Sequence, residues 1–316
     1  MSRTVDVGVV GVGHLGRHHA RLYAQIEGAR LVGVVDSDRA RAEAIASEYG
    51  CEAFENEEAL AAKTEAVSVA VPTAQHPEIA VKLIEAGAHV LVEKPLARTV
   101  AEAEAINSAA EKHGRIVMVG HTERFNPAVR ALAAAVERPR FFEIHRLAAF
   151  SARSTDIDVV LDLMIHDLDL LLALDGTEPI SVDASGVAAL TDKIDIANAR
   201  IRFESGCVAN LTASRISAEP VRRIRVFQLR TYLSCDTGKR TVERYRLKSG
   251  DEETPEIVHD FLPVDEAEPL AAELATFVDA VRRGEAPAID GRRGQQAVEL
   301  AHRVRESIES WPGPVA

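Results

Sequence analysis

Short apolar runs rich in β-branched residues alternate with alanine- and charge-rich stretches through the first third of the chain. Val5 to Val10 reads as a buried strand ended by Gly11, and a helical stretch follows from about His14 to Ile26. Leu31 to Val35 repeats the strand pattern and stops at Asp36, and Asp38 to Tyr49 has the composition of a surface helix. After a short third strand at Cys51–Phe54, the rhythm continues: strand Ala66–Val71, helix Pro77–Ala86, strand His89–Val92, helix Val100–His113, strand Ile116–Val119. Runs that are apolar at successive positions, rather than at every second one, predict strands covered on both faces. Alternating strand and helix then imply a parallel sheet with helices on either side.

After Gly120 the pattern changes. A helix is predicted over Pro127–Val136, a strand over Phe141–Ala149 and an apolar helix over Ile157–Leu174. Strand-like segments then follow one another without intervening helices: Ser181–Leu190, Ile196–Phe203, Val208–Ile216, Ile224–Leu229 and Tyr232–Cys235. Ala209, Leu211 and Ala213 alternate with Asn210, Thr212 and Ser214, as expected of a half-buried strand in an antiparallel sheet. Helices at Pro269–Arg283 and Arg292–Ser310 close the chain. The expected fold class is α/β: an N-terminal Rossmann-type parallel sheet over residues 1–121, then an α+β domain over 122–316 with a large, mostly antiparallel open sheet. The final helix is free to pack back on the first domain. With 316 residues, two hydrophobic cores are the ordinary expectation.

Composition narrows the partners. The formal net charge is −12 and there is no basic run or aromatic–basic ladder, which argues against nucleic acid and anionic membrane surfaces. Three scattered cysteines, without a CxxC or Cys/His pattern, suggest neither a disulfide framework nor a metal site. No apolar stretch is long enough to span a bilayer and no leader is evident, so a cytoplasmic, soluble protein is expected.

Gly11-Val12-Gly13-His14-Leu15-Gly16 lies between a predicted strand and a predicted helix. In that setting Gly11 allows a tight turn, Gly13 lets the backbone approach a pyrophosphate, and Gly16 lets the helix pack close to the strand. The helix N-terminus adds free N–H groups and the positive end of its dipole. Asp36 closes the second strand about 20 residues further on, where a carboxylate accepts hydrogen bonds from the adenosine ribose. The same aspartate could simply cap the next helix. A carboxylate there repels a 2′-phosphate and so favours NAD over NADP, with Arg39 nearby weighing the other way.

The apolar helix at Ile157–Leu174 carries Asp158, Asp162, His166 and Asp169 at helical spacing. Carboxylates on so apolar a segment must meet water, a cavity or partners, because burying them unpaired is prohibitively costly. One outcome is the solvated side of an amphipathic helix. The other is chemical: Asp162 holds one nitrogen of His166, one turn away, and leaves the other to take a proton.

Four segments, in order, resemble the Gfo/Idh/MocA family, and the resemblance covers essentially the whole chain. They are Gly11-x-Gly13-x-x-Gly16-x-x-His19, Val71-Pro72-Thr73 with His76, Glu93-Lys94-Pro95, and Asp162-x-x-x-His166-x-x-Asp169. The resemblance implies NAD-dependent oxidation of a sugar-type secondary alcohol. Gly11, Gly13, His14, Leu15, Gly16, Asp36, Pro72, Thr73, His76, Glu93 and Lys94 would line the cofactor. Lys94 would also polarise the reacting hydroxyl, His166 would act as general base and Asp162 would orient it or relay the proton. No metal is implied.

His121–Pro127, the run Arg153-Ser154-Thr155-Asp156 and Thr212–Ser217 resemble a bacterial subgroup of this family that oxidises the C3 hydroxyl of UDP-N-acetylglucosamine, preparing the sugar for amination on the way to amide-linked lipid A or diamino-sugars. On that resemblance Arg124, Arg153 and Arg215 would hold the diphosphate or uracil, and Asn126, Asp162 and His166 would face the sugar. Each arginine could equally sit in an intramolecular ion pair, and Asn126 could cap the helix opened by Pro127. A free polyol such as inositol is the alternative substrate, and a non-catalytic dinucleotide sensor a third reading. By the same analogy a homo-oligomer, dimer or tetramer, would form through the open sheet face.

Overall fold

The computed structural model describes residues 3–151, 157–248 and 256–310. In chain order the elements are β1 (Val5–Val10), α1 (Gly16–Tyr23), β2 (Ala29–Val35), α2 (Arg39–Tyr49), β3 (Glu52–Ala53), α3 (Glu57–Ala61), β4 (Ala66–Val69), α4 (His76–Glu85), β5 (His89–Glu93), α5 (Val100–His113) and β6 (Val117–Gly120). There follow α6 (Pro127–Ala135), β7 (Phe141–Leu147), a π-helical turn at Val160–Met164 continued by α7 (Ile165–Asp175), β8 (Pro179–Val187), β9 (Ile196–Phe203), β10 (Val208–Ser214), β11 (Val221–Gln228), β12 (Thr231–Asp236), β13 (Thr241–Leu247), β14 (Ile257–Phe261), α8 (Pro269–Arg283) and α9 (Gly291–Ser310).

The chain divides into two compact units, residues 1–122 with 268–298, and residues 123–267 with 299–316. The first is a six-stranded sheet in the order β3-β2-β1-β4-β5-β6, parallel throughout. Val5, Val7, Val9 and Val10 of β1 and Val90, Leu91 and Val92 of β5 are all buried, so apolar residues dominate both strands, with Asp6 of β1 half-buried and paired with Arg30. Sequence-local signals set the helix ends. Thr99 and Glu102 form a reciprocal capping box at the start of α5, and Gly114 ends it in the left-handed conformation. The outer strand β6 is backed from late in the sequence: Val119 N–H donates to Ile289 O at 3.0 Å, and Met118 bridges Asp290.

The second unit is an eight-stranded sheet in the order β14-β13-β12-β11-β7-β10-β9-β8, antiparallel except where β7 meets β10. Ala209, Leu211 and Ala213 are buried as their alternation predicts, and so are Ala197, Ala199, Ile201 and Phe203 of β9. On the other face rings run from strand to strand: Phe227 stacks on Tyr232 at 4.8 Å, and Tyr245 on His259 at 4.3 Å. β13 and β14 have no counterpart among the predicted strands. β13 carries Glu243, Arg244 and Arg246 without a clean apolar alternation, and Arg244 pairs with Asp260 of β14 across the sheet. No described helix is long and apolar enough to cross a membrane.

Candidate active site

In the first unit the glycine loop and the ends of β2 and β4 enclose a cleft of about 620 Å³. Its wall includes Gly11, Gly13, His14, Asp36, Arg41 and Pro72. Gly11 has φ +83°, where a side chain would be strained, and a Cβ there would lie 2.7 Å from Ala70 O. A Cβ on Gly16 would overlap the Gly11 carbonyl oxygen, so the start of α1 can approach the loop only as glycine. At Gly13 the space is open, and the nearest atom is Arg41 Nη1 at 3.9 Å. Two glycines thus permit close backbone contact and the third leaves room over the loop, the shape a dinucleotide pyrophosphate requires. Leu15, just ahead of α1, is 39% exposed.

Asp36 does not cap α2; Asp38 does, accepting from Arg41 N. Asp36 instead accepts Val12 N–H at 2.8 Å and Asp38 N–H at 2.9 Å, which ties the second strand to the glycine loop. Arg41 reaches the same carboxylate at 3.2 Å. Arg39, the basic residue prominent in sequence, is engaged with Glu43 and with Phe54 O.

Other expected cofactor residues turn inward. His76 is buried, with Nδ1 2.9 Å from Pro95 O and Nε2 2.9 Å from Val71 O. Burial lowers its pKa, against the opposing pull of the two carbonyls, and the ring fastens the loop after β4 to the loop after β5. Thr73 is buried beside it. Glu93 lies with Oε1 3.0 Å from His19 Nε2, and its Oε2 accepts Lys94 N–H at 3.3 Å. His76 and Glu93 thus act as internal ties in this structure. Their side chains are buried because each pairs segments that must hold a fixed spacing at the strand ends. Lys94 is half-buried at the end of β5 and is followed by a cis bond to Pro95.

In the second unit the acids of the 158–169 segment separate by role. Asp158 is buried, accepts Val160 N–H and Leu161 N–H, and lies 2.9 Å from Arg305. Asp169 is buried and lies 3.2 Å from Arg124. Asp167, absent from the expected stripe, is buried and accepts two hydrogen bonds from Arg146 of β7, at 2.9 and 2.7 Å. Burial works against the charge on Arg146, but Asp167 and Glu123 beside it raise its pKa above the ordinary arginine value. The acids meet partners, as so apolar a segment requires: Asp158, Asp167 and Asp169 are each matched by an arginine, and Asp162 and His166 are half-buried. The π-helical turn carries Asp162 and α7 carries His166. Such turns recur at functional sites because they shift the side-chain phase of a helix.

Arg215 and Asn126 take the intramolecular alternatives open to them, an ion pair and a helix cap. Arg215 is buried, donating to Asp195 at 2.8 Å, to Ile157 O and to Thr191, so its guanidinium is spent inside the unit. Burial opposes the charge on Asp195, but backbone N–H groups of Leu190 and Thr191, with Arg215, hold its pKa well below the usual carboxylate range. Asn126 caps α6 through Ala128 N–H and gives its amide to Thr237 O. Arg124 is partly exposed beside Asp169. Arg153 lies outside the described residues. Among the described residues no cluster of His, Cys, Asp and Glu is arranged to hold a metal ion.

The family model for oxidoreductases with an NAD-binding Rossmann fold, Gfo/Idh/MocA, matches residues 5–121, and the C-terminal domain model of the same family matches 128–238. UDP-N-acetylglucosamine 3-dehydrogenase of Acidithiobacillus ferrooxidans is 41% identical over 306 residues, covering 96% of this chain and 97% of the relative. The chain belongs to the Gfo/Idh/MocA family. Within the family, inositol 2-dehydrogenase of Rhizobium meliloti is more distant, at 30% identity over 96% of this chain and 97% of its own length. A solved structure of the Acidithiobacillus enzyme superposes with a TM-score of 0.91 at 40% identity, covering 97% of this chain and 98% of that one. The family's cofactor is NAD, and the glycine cradle with Asp36 fits it.

Arg41 escaped the sequence reading. The available signal was its place in the first turn of α2, beside the end of β2, where a long side chain can reach back over the glycine loop.

Proposed function

We propose that this protein is an NAD-dependent dehydrogenase that oxidises the C3 hydroxyl of UDP-N-acetylglucosamine to the 3-keto nucleotide sugar. The observation that carries the reading is the 41% identity to a UDP-N-acetylglucosamine 3-dehydrogenase along 96% of the chain, against 30% for an inositol dehydrogenase of equal coverage. Bound NAD supplies the hydride acceptor. The chain's own residues do the rest of the work. Gly11, Gly13 and Gly16 admit the pyrophosphate to the backbone, and Asp36 accepts the ribose hydroxyls.

Lys94 places an ammonium beside the reacting hydroxyl and favours alkoxide character as the C–H bond breaks. His166, oriented by Asp162, accepts the hydroxyl proton. Arg124 lends positive charge toward the nucleotide's diphosphate. The 3-keto product is a ketone ready for amination, so an aminotransferase is the class of enzyme that would consume it. We further propose a homo-oligomer formed through the ring-bearing face of the eight-stranded sheet; a Phe261→Asp change, at a position 62% exposed, should then lower the mass in sedimentation.

The test is formation of NADH absorbance with UDP-N-acetylglucosamine and with myo-inositol under the same conditions, and identification of the keto sugar by mass spectrometry. Turnover of inositol alone would replace the substrate and leave the dehydrogenase.

A further inference from the structure

His19 and Glu93 form a buried pair within the first unit. His19 lies in the first turn of α1 with its side chain wholly buried, and Glu93 ends β5 with 6% of its side chain exposed. Nε2 of the ring is 3.0 Å from Oε1 of the carboxylate, an electrostatic contact bent away from a straight hydrogen bond. Nδ1 of the same ring has no hydrogen-bond partner among the described residues, so Glu93 is the polar group the imidazole meets. The other carboxylate oxygen accepts Lys94 N–H at 3.3 Å. β6 closes the third side: a Cβ on Gly120 would lie 2.9 Å from Cδ and both oxygens of Glu93, so glycine there leaves the carboxylate its place. Three elements thus converge on one carboxylate directly before the lysine. Stability alone does not account for the pair, because apolar side chains of similar volume commonly hold a fold as well as buried charges do.

We propose that His19 is a positioning residue for Lys94: through the Glu93 carboxylate it ties the first turn of α1 to the backbone that carries the lysine. The proposal rests on the reading of Lys94 as the group beside the reacting hydroxyl. α1 opens directly behind the glycine loop, so the turn that would receive the pyrophosphate is also the turn that fixes the lysine. Turnover is sensitive to such placement, since an error of about 1 Å at a reacting group can cost about 10²-fold. Without His19 the carboxylate is free to swing and the Lys94 backbone loses its anchor. The glycines keep their own geometry, so nucleotide binding is spared while turnover falls.

A double-mutant cycle separates placement from general support. His19→Leu should lower kcat at least about tenfold, with NADH affinity, read by fluorescence, within about twofold of wild type. His19→Gln, which keeps a donor nitrogen at similar reach, should restore most of the loss. Gly120→Ala should reproduce the loss with little change in thermal unfolding, because the added methyl meets the end of a flexible side chain rather than backbone. It carries the cycle if His19→Leu folds poorly. In a Lys94→Ala background neither change should lower kcat further. A loss that persists undiminished without Lys94, or that His19→Gln does not relieve, overturns the proposal. If the wild type reduces NAD with no sugar alcohol, the catalytic reading has failed rather than the pair. Acetylation of Lys94, followed by mass spectrometry with Lys112 as internal reference, then decides the placement. A rate altered by His19→Leu and by Gly120→Ala supports it, and an unchanged rate overturns it.

Discussion

Replacing Arg146 by methionine isolates the cost of a buried charge beneath the segment that carries Asp162 and His166. Arg146 is 5% exposed and Asp167 2%, and the guanidinium meets both carboxylate oxygens and also Glu123 at 3.3 Å. Methionine fills much of the volume but leaves Asp167 without its cation. Burial already raises the pKa of Asp167 against the pull of Arg146, so the variant escapes by protonating it. For a carboxyl with an unfolded pKa of about 3.9, that costs about 4 kcal/mol at pH 7, in line with the roughly 3–5 kcal/mol typical of breaking a buried pair.

The pH dependence has a definite sign. The folded variant binds a proton at Asp167 that the unfolded chain lacks, so its deficit shrinks by about 1.4 kcal/mol per pH unit as pH falls from 7 towards 4. Urea unfolding of wild type, Arg146→Met, Asp167→Leu and the double variant between pH 5 and 8 measures this. The double variant should recover most of the loss, since two apolar side chains leave no stranded charge. A loss below about 1 kcal/mol for Arg146→Met, or one independent of pH, would refute the reasoning, because pairs of that size are characteristic of exposed contacts.

Other changes separate binding, chemistry and support. Gly16→Ala should weaken NADH binding at least about tenfold, because α1 must retreat from the Gly11 carbonyl in a tightly packed loop; fluorescence titration reads it. Lys94→Ala and His166→Ala should each lower kcat by about 10²–10⁴ while NADH affinity stays near wild type, checked by steady-state kinetics beside the titration. Asn126→Ala should cost about 1 kcal/mol in thermal or urea unfolding, with KM for the nucleotide sugar unchanged, since its amide serves a helix cap. Asp195→Asn should destabilise the protein at pH 7. Because the folded pKa of Asp195 is depressed, that difference should fade as pH drops below about 4, where the unfolded chain takes up the proton first.

The parallel sheet and the cofactor cradle were legible because both rest on local rules. Apolar runs report strands covered on two faces, and a glycine that must adopt φ +83° or admit a neighbouring carbonyl leaves its signature in one residue. The roles of polar residues in the second unit were legible only in part. The cap formed by Asn126 was readable from Pro127 beside it, but Arg215 has the right chemistry for a sugar nucleotide and Asp195, the partner that holds it, lies 20 residues away. Spacing along residues 158–169 likewise cannot reveal that Arg124, Arg146 and Arg305 arrive from three other segments to neutralise its acids. β13 and β14 were invisible for a related reason: cross-strand charge pairing replaces the alternation of apolar and polar residues.

The strap of late residues along β6 has a consequence for how the chain acquires its structure on the ribosome. Ile289 and Asp290 complete the outer edge of a sheet whose other strands have all emerged by residue 120, and Gly294 packs where a Cβ would press against Val119 and Leu96. Nearly the entire second unit must therefore be synthesised while that edge stays open. N-terminal domains ordinarily finish folding first during translation. Here the order is interleaved, and an exposed strand edge waits for its cover through most of synthesis, a period in which chaperone binding would have its greatest effect on yield.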